Sequence, residues 1–251
     1  MNTRKVLDRT LLPLIGFAIV IAIWQATIGF YDLKRIVLPP PLEVVTTLLE
    51  MLVTASFWHD LWVSLGEFVL GYLVGGSLGV LVGLLTGERP AFRMALRPVI
   101  EGLRFIVPFA WIPLTILWFG TSLTGKVFLV AYAVFFVMLV TTAQSIANLD
   151  QLLTRVGTTL GMSRWDLAFK VHLRAAAPGI ASGAKAAAAI GWIAVVAAEY
   201  IGSSAGLGFM ITNAAMSLAT GTVIAGMVVI GVIGAAVSWL VGLMSRYWLD
   251  Y

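Results

Sequence analysis

The chain has 251 residues, of which 60% are hydrophobic and only 11% are charged. Soluble domains carry about a quarter charged residues, so this composition excludes a soluble globular domain and predicts an integral membrane protein. The chain contains no cysteine, which excludes a disulfide framework, a thiolate metal site and a cysteine nucleophile. We read the net charge of +4 as basic residues in loops on one side of a membrane, and expect neither nucleic-acid binding nor a bound metal.

The apolar segments predict an all-α, polytopic protein with about six transmembrane helices in a single domain, residues 1–251. A span needs about 20 mostly apolar residues. The predicted spans are 11–30, 61–87, 99–119, 127–146, 180–201 and 223–244. Residues 31–60 are too polar to cross a membrane, and within them Val44–Val53 is suited to an amphipathic helix at the surface.

Glycines recur at every fourth residue of the second predicted span, at Gly71, Gly75, Gly79 and Gly83. This spacing places them on one stripe of the helix, where the backbone of another helix can approach closely. We therefore expect the stripe to pack against a second span.

The distribution of lysine and arginine predicts the orientation of the spans. With six spans, both termini lie on the same side of the membrane. That side would carry eleven basic residues outside the spans, namely Arg4, Lys5, Arg9, Arg89, Arg93, Arg97, Arg155, Arg164, Lys170, Arg174 and Arg246. The other side would carry three, namely Lys34, Arg35 and Lys126. Basic loops remain in the cytoplasm, so we expect both termini to be cytoplasmic.

Residues 148–178, called the platform below, form the longest amphipathic segment between the spans. Asp150 is suited to the N-cap of a first short helix, and Gly161 to its C-terminal turn, because glycine tolerates a left-handed conformation. Ser163, followed three residues later by Asp166, is suited to the N-cap of a second helix. These signals predict two short helices joined at a glycine and lying outside the bilayer.

The second platform helix is expected to end at Pro178 and to gather its apolar residues on one face. That face would contain Trp165, Ala168, Phe169 and His172.

The platform resembles the EAA loop of the permease subunits of ABC importers, whose pattern is Glu-Ala-Ala, three residues, glycine and later Leu-Pro. Gly161 matches the glycine, and the stretch from Ala177 to Ile180 matches the end of the pattern, although Arg155, Val156 and Gly157 replace Glu-Ala-Ala and Arg174 replaces a proline. The resemblance implies that the platform is a coupling loop that docks an ATPase subunit. The residues it implicates are Arg155, Gly157, Leu160, Gly161, Ser163, Arg164, Trp165, Asp166 and Phe169.

Motifs along the rest of the chain resemble the permeases of the taurine, sulfonate, nitrate and bicarbonate importers. They are Leu38-Pro39-Pro40-Pro41, the run from Pro108 to Gly120, Ala197-Ala198-Glu199, Gly206-Leu207-Gly208-Phe209 and the run from Ala225 to Gly231. Val137 and Thr141 replace a proline and an asparagine that are common in that group. The resemblance is therefore specific for the type of subunit and weak for its solute.

This wider resemblance implies a type I importer fold and a permease subunit of the bacterial inner membrane. It implies a second permease, expected to form a homodimer with this chain, two cytoplasmic ATP-binding subunits and an extracytoplasmic solute-binding protein. ATP and magnesium would bind to the ATP-binding subunits. This chain would bind no cofactor and would not be an enzyme. The transported solute is expected to be small and anionic.

Residues 202–220 are too short and polar to span the membrane, yet too apolar for an ordinary exposed loop. One hypothesis is that this segment folds back and helps to gate the outer mouth, with Phe209 and Met210 packed inward; the other is a passive interfacial helix. Glu199 is expected to accept hydrogen bonds from backbone N–H groups of this segment, because buried polar groups usually find partners. The candidate gate residues are Glu199, Gly206, Gly208, Phe209 and Met210.

Two alternatives belong to other classes. An ion-coupled secondary transporter would need ionisable residues near mid-membrane or an internal repeat of spans, and an intramembrane enzyme would need a catalytic pair or metal ligands at depth. The run from Gly120 to Lys126 is close to a phosphate-binding loop, but Val127 follows where Ser or Thr is required, so we expect no nucleotide there.

Overall fold

The computed structural model describes residues 3–31 and 34–249, and this part of the chain is α-helical, as expected. Its helices are α1 (Thr3–Tyr31), α2 (Pro41–Val53), α3 (Ala55–Glu88), α4 (Pro90–Arg104), α5 (Ile112–Phe119), α6 (Leu123–Ala147), α7 (Gln151–Thr159), α8 (Arg164–Asp166), α9 (Leu173–Ala175), α10 (Ala177–Gly202), α11 (Leu207–Met216) and α12 (Thr220–Leu249). A 3₁₀ turn (Pro108–Trp111) precedes α5, and a π-helical segment (Leu167–His172) connects α8 to α9.

Four of the described helices, α3, α6, α10 and α12, are long and apolar enough to cross a membrane. A fifth crossing exists if α4 and the segment Pro108–Phe119 count as one bent span. Helix α1 covers the first predicted span, and its stretch Ile15–Tyr31 is apolar. The side chains of Arg4, Lys5, Arg9 and Arg246, which the orientation argument uses, lie outside the part of the chain that the structure describes.

The third predicted span, residues 99–119, is not one straight helix. The two helical parts on either side of residues 105–107 are bent by 84°. Pro108 has no N–H to donate, and Val107 before it adopts an extended conformation with ψ 137°, as residues before proline prefer. The predicted spans 61–87 and 99–119 leave residues 88–98 between them as a short basic turn, which is also wrong, because Pro90 begins α4 with its fixed φ at the first helical turn.

The chain divides into two compact units. The first contains residues 1–58 and 210–229. In it α2 forms the amphipathic helix expected near Val44, which is buried. Thr220 donates a hydrogen bond of 2.5 Å from Oγ1 to the carbonyl oxygen of Ile36. Gly226 leaves room on α12 for the side chain of Ile211 on α11.

The second unit contains residues 59–209 and 230–251, and α6 forms much of its core. The predicted glycine stripe of α3 packs against α6. The carbonyl oxygen of Ala131 occupies the space of a side chain at Gly75, and a Cβ at Gly83 would lie 2.7 Å from the Cβ of Thr142. The helices therefore approach at a distance that only glycine permits.

Helix α10 approaches α6 in the same way. A side chain at Gly183 would overlap Thr141, and a Cβ at Gly191 would lie 2.8 Å from Cγ2 of Val134. Val130 and Val134 of α6 are completely buried as a result. Trp192 of α10 adds an edge-to-face contact with Phe68 of α3, with ring centroids 6.0 Å apart.

We expect Gly79→Ala to lower the stability of the protein. The added Cβ would lie 2.6 Å from the Cβ of Met138 and 2.7 Å from the carbonyl oxygen of Phe135, so α3 and α6 must separate. Overpacking of this kind costs about 1–3 kcal/mol. The matched control is Gly66→Ala on the same helix, because a Cβ there meets nothing within 4 Å. Thermal unfolding in detergent should show a lower midpoint for Gly79→Ala only; equal midpoints would contradict the close packing.

Candidate functional site

Two groups of polar residues lie at opposite ends of the second unit. The platform follows the C-terminus of α6 and contacts the C-terminus of α3. A buried network of charged residues joins the N-terminal parts of α3 and α6 to the C-terminus of α10. Sequence reasoning identified the platform and one member of the network.

The first half of the platform ends in the turn that the sequence predicted. Asp150 accepts a hydrogen bond from the backbone N–H of Leu152, confirming the N-cap of α7. Gly161 has φ +73°, and its N–H donates to the carbonyl of Thr158, while the N–H of Met162 donates to the carbonyl of Gly157. This pair of bonds is a Schellman motif, which satisfies the last carbonyls of the helix.

The second N-cap is also confirmed. Ser163 Oγ accepts a hydrogen bond of 3.1 Å from the backbone N–H of Asp166 and donates one of 2.6 Å to its carboxylate. Lys170 lies one turn later, with Nζ 2.5 Å from the same carboxylate. The hydrogen bonds from Lys170 and Ser163 lower the pKa of Asp166, because both stabilise its charged form.

The prediction of one apolar face on the second platform helix is wrong. Ala168 and His172 are buried, whereas Trp165 and Phe169 are exposed and stack on each other with ring centroids 6.1 Å apart. The segment Leu167–His172 is π-helical, so residues there do not follow the 3.6-residue period used for the prediction. Pro178 lies in the first turn of α10 and not at the end of the helix before it.

His172 fixes the inner side of the platform to α3. Its Nδ1 lies 2.5 Å from a carboxylate oxygen of Glu88, and its Nε2 lies 3.0 Å from Oγ1 of Thr154. An ionised carboxylate can only accept, so Nδ1–H donates to Glu88, and a neutral imidazole then accepts the Thr154 hydroxyl at Nε2. His172 therefore links α7, the π-helical segment and the last residue of α3.

The same junction contains a cation–π contact and a small cleft. The guanidinium of Arg89 lies 5.5 Å from the ring centroid of Trp165. A cleft of about 250 Å³ separates the end of α3 from the platform. Gly157 is buried beneath it, and a side chain at Gly157 would overlap Leu167. Of the predicted docking residues, Gly157 is thus required for packing within the platform.

The outer surface of the platform is apolar. Leu160 is 75% exposed, Trp165 56% and Phe169 45%. Arg155 and Arg164 are exposed as well. The platform therefore presents aromatic and aliphatic side chains, flanked by positive charge, on a segment whose other side is fixed to α3. Such a surface is suited to a protein partner.

At the other end of the unit, one face of α3 holds the segment after α10. Asp60, Ser64 and Glu67 follow the i, i+4, i+7 spacing of a helix face, and all three are buried. The carboxylate of Asp60 accepts a hydrogen bond of 2.9 Å from the N–H of Gly206, and Ser64 Oγ accepts one of 2.9 Å from the N–H of Leu207.

Glu199 completes this set of hydrogen bonds and is fully buried. One carboxylate oxygen accepts from the N–H of Gly208 at 2.8 Å, and the other accepts from the hydroxyl of Ser64 at 2.6 Å. The expectation that Glu199 binds backbone N–H groups of residues 202–208 is thereby confirmed. Gly206 has φ +113°, and a side chain there would overlap the Glu199 carboxylate, so glycine is required.

Phe209 and Met210 are both half-buried, and their inward packing over an outer mouth stays a prediction. The buried apolar side chains of this segment are those of Leu207, Ile211 and Ala214. Helix α11 begins at Leu207, and its period turns Leu207 and Ile211 to the same side.

Lys126 is the cation of the network. Its Nζ lies 2.6 Å from a carboxylate oxygen of Glu67 and 2.6 Å from Oγ of Ser203. The side chains of Lys126 and Glu67 are 12% and 2% exposed, so the pair is largely removed from water. Glu67 and Glu199 are neighbours, and Lys126 therefore compensates a site with more than one carboxylate.

Sequence reasoning missed Asp60, Ser64, Glu67 and Lys126. The spacing of Asp60, Ser64 and Glu67 was a usable signal, because polar residues on one face of a long apolar helix usually face protein or water. Lys126 was assigned to an exposed loop, and nothing near it in sequence indicates its partner.

The match to a family model and the similarity to individual proteins agree on a class of transporter. Residues 75–249 match the family model described as the binding-protein-dependent transport system inner membrane component. The chain is 34% identical over 234 residues to a putative aliphatic sulfonates transport permease protein of Bacillus subtilis, covering 93% of this chain and 85% of that protein. It is 33% identical to the taurine transport system permease protein of Escherichia coli, covering 86% and 80% of the two chains.

A nitrate import permease protein of Leptolyngbya laminosa is 28% identical, with 96% of this chain and 88% of that protein covered. Among solved structures, the chain resembles one from a bacterial alginate ABC transporter in complex with an alginate pentasaccharide-bound periplasmic protein. The TM-score is 0.59 at 15% identity, and the match covers 98% of this chain and 96% of the other. At that identity the likeness shows the fold alone.

We expect Glu199→Ala to release the segment after α10 and Glu199→Gln to retain it. A glutamine can accept from Gly208 through its oxygen and donate through its amide to Ser64, whose hydroxyl can turn to the carbonyl of Asp60 at 3.1 Å. Alanine removes the carboxylate that accepts from the buried N–H of Gly208, at about 1–3 kcal/mol. Amide hydrogen exchange at residues 206–208 should accelerate at least tenfold in the alanine variant. Equal acceleration of exchange in the alanine and glutamine variants would mean that the negative charge of Glu199 holds the segment. Glu50→Ala, at an exposed position of α2, is the control.

We expect Lys126→Met to destabilise the protein and Glu67→Met to reverse much of that loss. Removing one partner of a buried ion pair leaves the other uncompensated, which costs about 3–5 kcal/mol, whereas an apolar replacement of both partners is often neutral. Thermal unfolding of the two single variants and the double variant measures this coupling. Additive losses in the double variant would exclude the pairing of Lys126 with Glu67.

Proposed function

The chain belongs to the family of inner membrane components of binding-protein-dependent transport systems, and we propose that it forms one half of the translocation pathway of an ATP-driven importer. Its class is that of an ABC importer permease of the sulfonate, taurine, nitrate and bicarbonate group. It is a multi-pass membrane subunit and not an enzyme, since the ATPase of such systems is a separate subunit.

The proposed assembly contains a second copy of this permease, two cytoplasmic ATP-binding subunits and an extracytoplasmic binding protein. The ATP-binding subunits would hold ATP and magnesium. The excess of basic residues on the platform side of the spans supports a cytoplasmic platform and cytoplasmic termini in the bacterial inner membrane. The periplasmic protein in complex with the alginate transporter supports the external partner as an analogy of fold.

We propose a small oxyanion as the solute. The names of the similar permeases refer to sulfonates, taurine, nitrate and bicarbonate. Each of these solutes carries a sulfonate group or is itself an oxyanion. The binding protein would select among such solutes, and the permease would provide the pathway.

One observation supports the coupling role above the others: the platform presents apolar side chains on one side and is fixed to α3 on the other. Leu160, Trp165 and Phe169 would dock into an ATP-binding subunit. The bond between His172 and Glu88 would transmit the movement of that subunit to α3. ATP binding would then shift the population between inward-open and outward-open arrangements of the spans.

We propose that the segment held by Glu199 contributes to the outer gate. Gly206 and Gly208 fix its start through Asp60 and Glu199, and Phe209 and Met210 follow at half-exposed positions. In this role Glu199→Ala would uncouple ATP hydrolysis from uptake, and Glu199→Gln would not. Wild-type coupling in the alanine variant would exclude a gating role.

The buried cluster of Glu67, Lys126 and Glu199 favours an ion-coupled secondary transporter as the second candidate, because buried ionisable groups within spans occur in proton relays. The two candidates differ in their energy source. Uptake into proteoliposomes that requires ATP and survives a protonophore supports the importer. Uptake that stops with the protonophore and needs no ATP supports the alternative.

We expect Gly161→Val to abolish co-purification of the ATP-binding subunit and uptake, while the permease still inserts. A Cβ at Gly161 meets nothing within 4 Å, so the added volume is not the obstacle. The obstacle is the backbone conformation, with φ +73°. A β-branched residue in that conformation is strained, and the turn that orients Leu160 and Trp165 would change.

The matched variant is Gly161→Asn, because asparagine tolerates the left-handed region and should keep both co-purification and uptake. Gly102→Val on α4 controls for the added volume, since a Cβ there also meets nothing. Undiminished co-purification and uptake in Gly161→Val would overturn the docking role of the platform.

A further inference from the structure

A cleft of about 270 Å³ separates α4 from the C-terminal half of α6, and the proposed function does not yet use it. Its α4 side carries Arg93, Arg97, Glu101 and Arg104. Its α6 side consists of small or apolar residues and one amide, namely Leu139, Val140, Ala143, Gln144 and Ala147. All charged groups of the cleft therefore come from one face of α4.

The charged residues of α4 line the cleft, and their side chains also reach open space: those of Arg97 and Glu101 are 71% and 47% exposed. Arg93, Arg97 and Arg104 recur at i, i+4 and i+11, which is one face of a helix. Met94 and Val99 lie outside the cleft and are 71% and 54% exposed. Charged residues in membrane segments face a water-filled cavity or the protein interior, and an open cleft of this kind is such a setting.

The cleft extends well into the length of α6. From Ala147 to Leu139 it covers roughly 12 Å of helix rise. Beyond that point, the hydroxyl of Tyr132 donates a hydrogen bond of 2.5 Å to the carbonyl of Leu103 and holds the end of α4 against α6. Arg104 is therefore the cation of the cleft nearest to this contact and to the bend of 84° that ends α4, and it is exposed.

The charges of the cleft do not cancel. Arg97 pairs with Glu101 at 2.9 Å. Arg93 donates to the carbonyl oxygens of Thr86 and Gly87, at 3.1 and 2.7 Å, which are neutral acceptors. Arg104 lies 4.9 Å from the ring centroid of Phe105. Three guanidinium groups therefore face one carboxylate, which leaves an excess of two positive charges.

We propose that this cleft is an oxyanion site in the pathway, with Arg97 and Arg104 as the binding groups. Guanidinium groups match sulfonate, carboxylate and phosphate oxygens through paired hydrogen bonds. Glu101 competes with the anion for Arg97, so the site releases its ligand as well as binding it. This inference rests on the proposed function, because it assigns the solute anion to named residues of this chain.

The test measures binding of ethanesulfonate and of nitrate to the full-length permease with its ATP-binding subunits, in phosphatidylcholine nanodiscs without binding protein. We expect Arg97→Gln and Arg104→Gln to weaken binding at least tenfold, as loss of a charged hydrogen bond does. Glu101→Gln should strengthen binding severalfold, because it frees Arg97. Lys185→Gln removes an exposed cation of α10 outside this cleft and should change nothing.

A lipid headgroup offers the same oxyanion chemistry, so a second arm adds phosphatidylglycerol to the nanodiscs. If the ligand is a lipid, phosphatidylglycerol will associate with the wild type and lose that association in Arg97→Gln, while ethanesulfonate and nitrate do not bind. If the ligand is the solute, ethanesulfonate or nitrate binds in phosphatidylcholine alone. The solute result supports the oxyanion site and its place in the pathway, whereas the lipid result supports the oxyanion chemistry and overturns the place in the pathway.

Binding of all three probes that is unchanged in Arg97→Gln and Arg104→Gln overturns the inference, as does wild-type protein that binds none of them. ATP-driven uptake by the complete importer separates this failure from that of the proposed function. Uptake that persists in both arginine variants overturns the site but leaves the importer. Absence of ATP-driven uptake in the wild type overturns the importer itself.

Discussion

The close packing of α6 against α3 and α10 is the constraint on which the second unit depends. Glycines on α3 and α10 remove side chains from the contacts, so backbone atoms such as the carbonyl of Ala131 lie where a Cβ would be. Helices in this arrangement cannot rotate or slide against each other without a collision. In apolar lipid there is no hydrophobic driving force between helices, so their association depends on this close packing. The ends of these three helices are thereby fixed relative to one another, and both polar sites of the unit are built on those ends.

Helix α3 connects the two sites directly. Its last residue, Glu88, binds the platform through His172, and its first turns hold the segment after α10 through Asp60 and Ser64. Roughly 36 Å of helix rise separates Ser64 from Glu88. Over such a distance, coupling requires a rigid element with two arrangements, and a helix locked to α6 by glycines moves as a unit. In the proposed importer, a displacement of the platform would therefore reach the segment held by Glu199 through one helix.

Local chemistry was predictable from the sequence, and contacts between distant residues were not. Asp150, Ser163 and Gly161 act within a few residues of themselves, so their caps and turn followed from residue type. The bond from Gly208 to Glu199 joins residues that are close in the chain and was also predicted. The link from Lys126 to Glu67 joins different helices, and no periodicity carries that information. The prediction of one apolar face on the second platform helix failed for another reason, because it assumed a regular α-helix where the segment Leu167–His172 is π-helical. At Pro108 the break had a sequence signal, but the bend of 84° depends on packing.

The distribution of charge resolves an apparent conflict in a pathway proposed for anions. Asp60, Glu67 and Glu199 are carboxylates within one unit, and exposed carboxylates would repel an anionic solute. All three are buried, and each has at least one oxygen engaged by a backbone N–H group, by Ser64 or by Lys126. The excess charge at the proposed anion site belongs instead to the arginines of α4. The buried carboxylates thus hold the segment after α10 in place, whereas the arginines line the cleft between α4 and α6. In the proposed importer, this segregation would separate a carboxylate latch from the anion site, because the carboxylates are buried and hydrogen-bonded to protein groups and the arginines line the cleft.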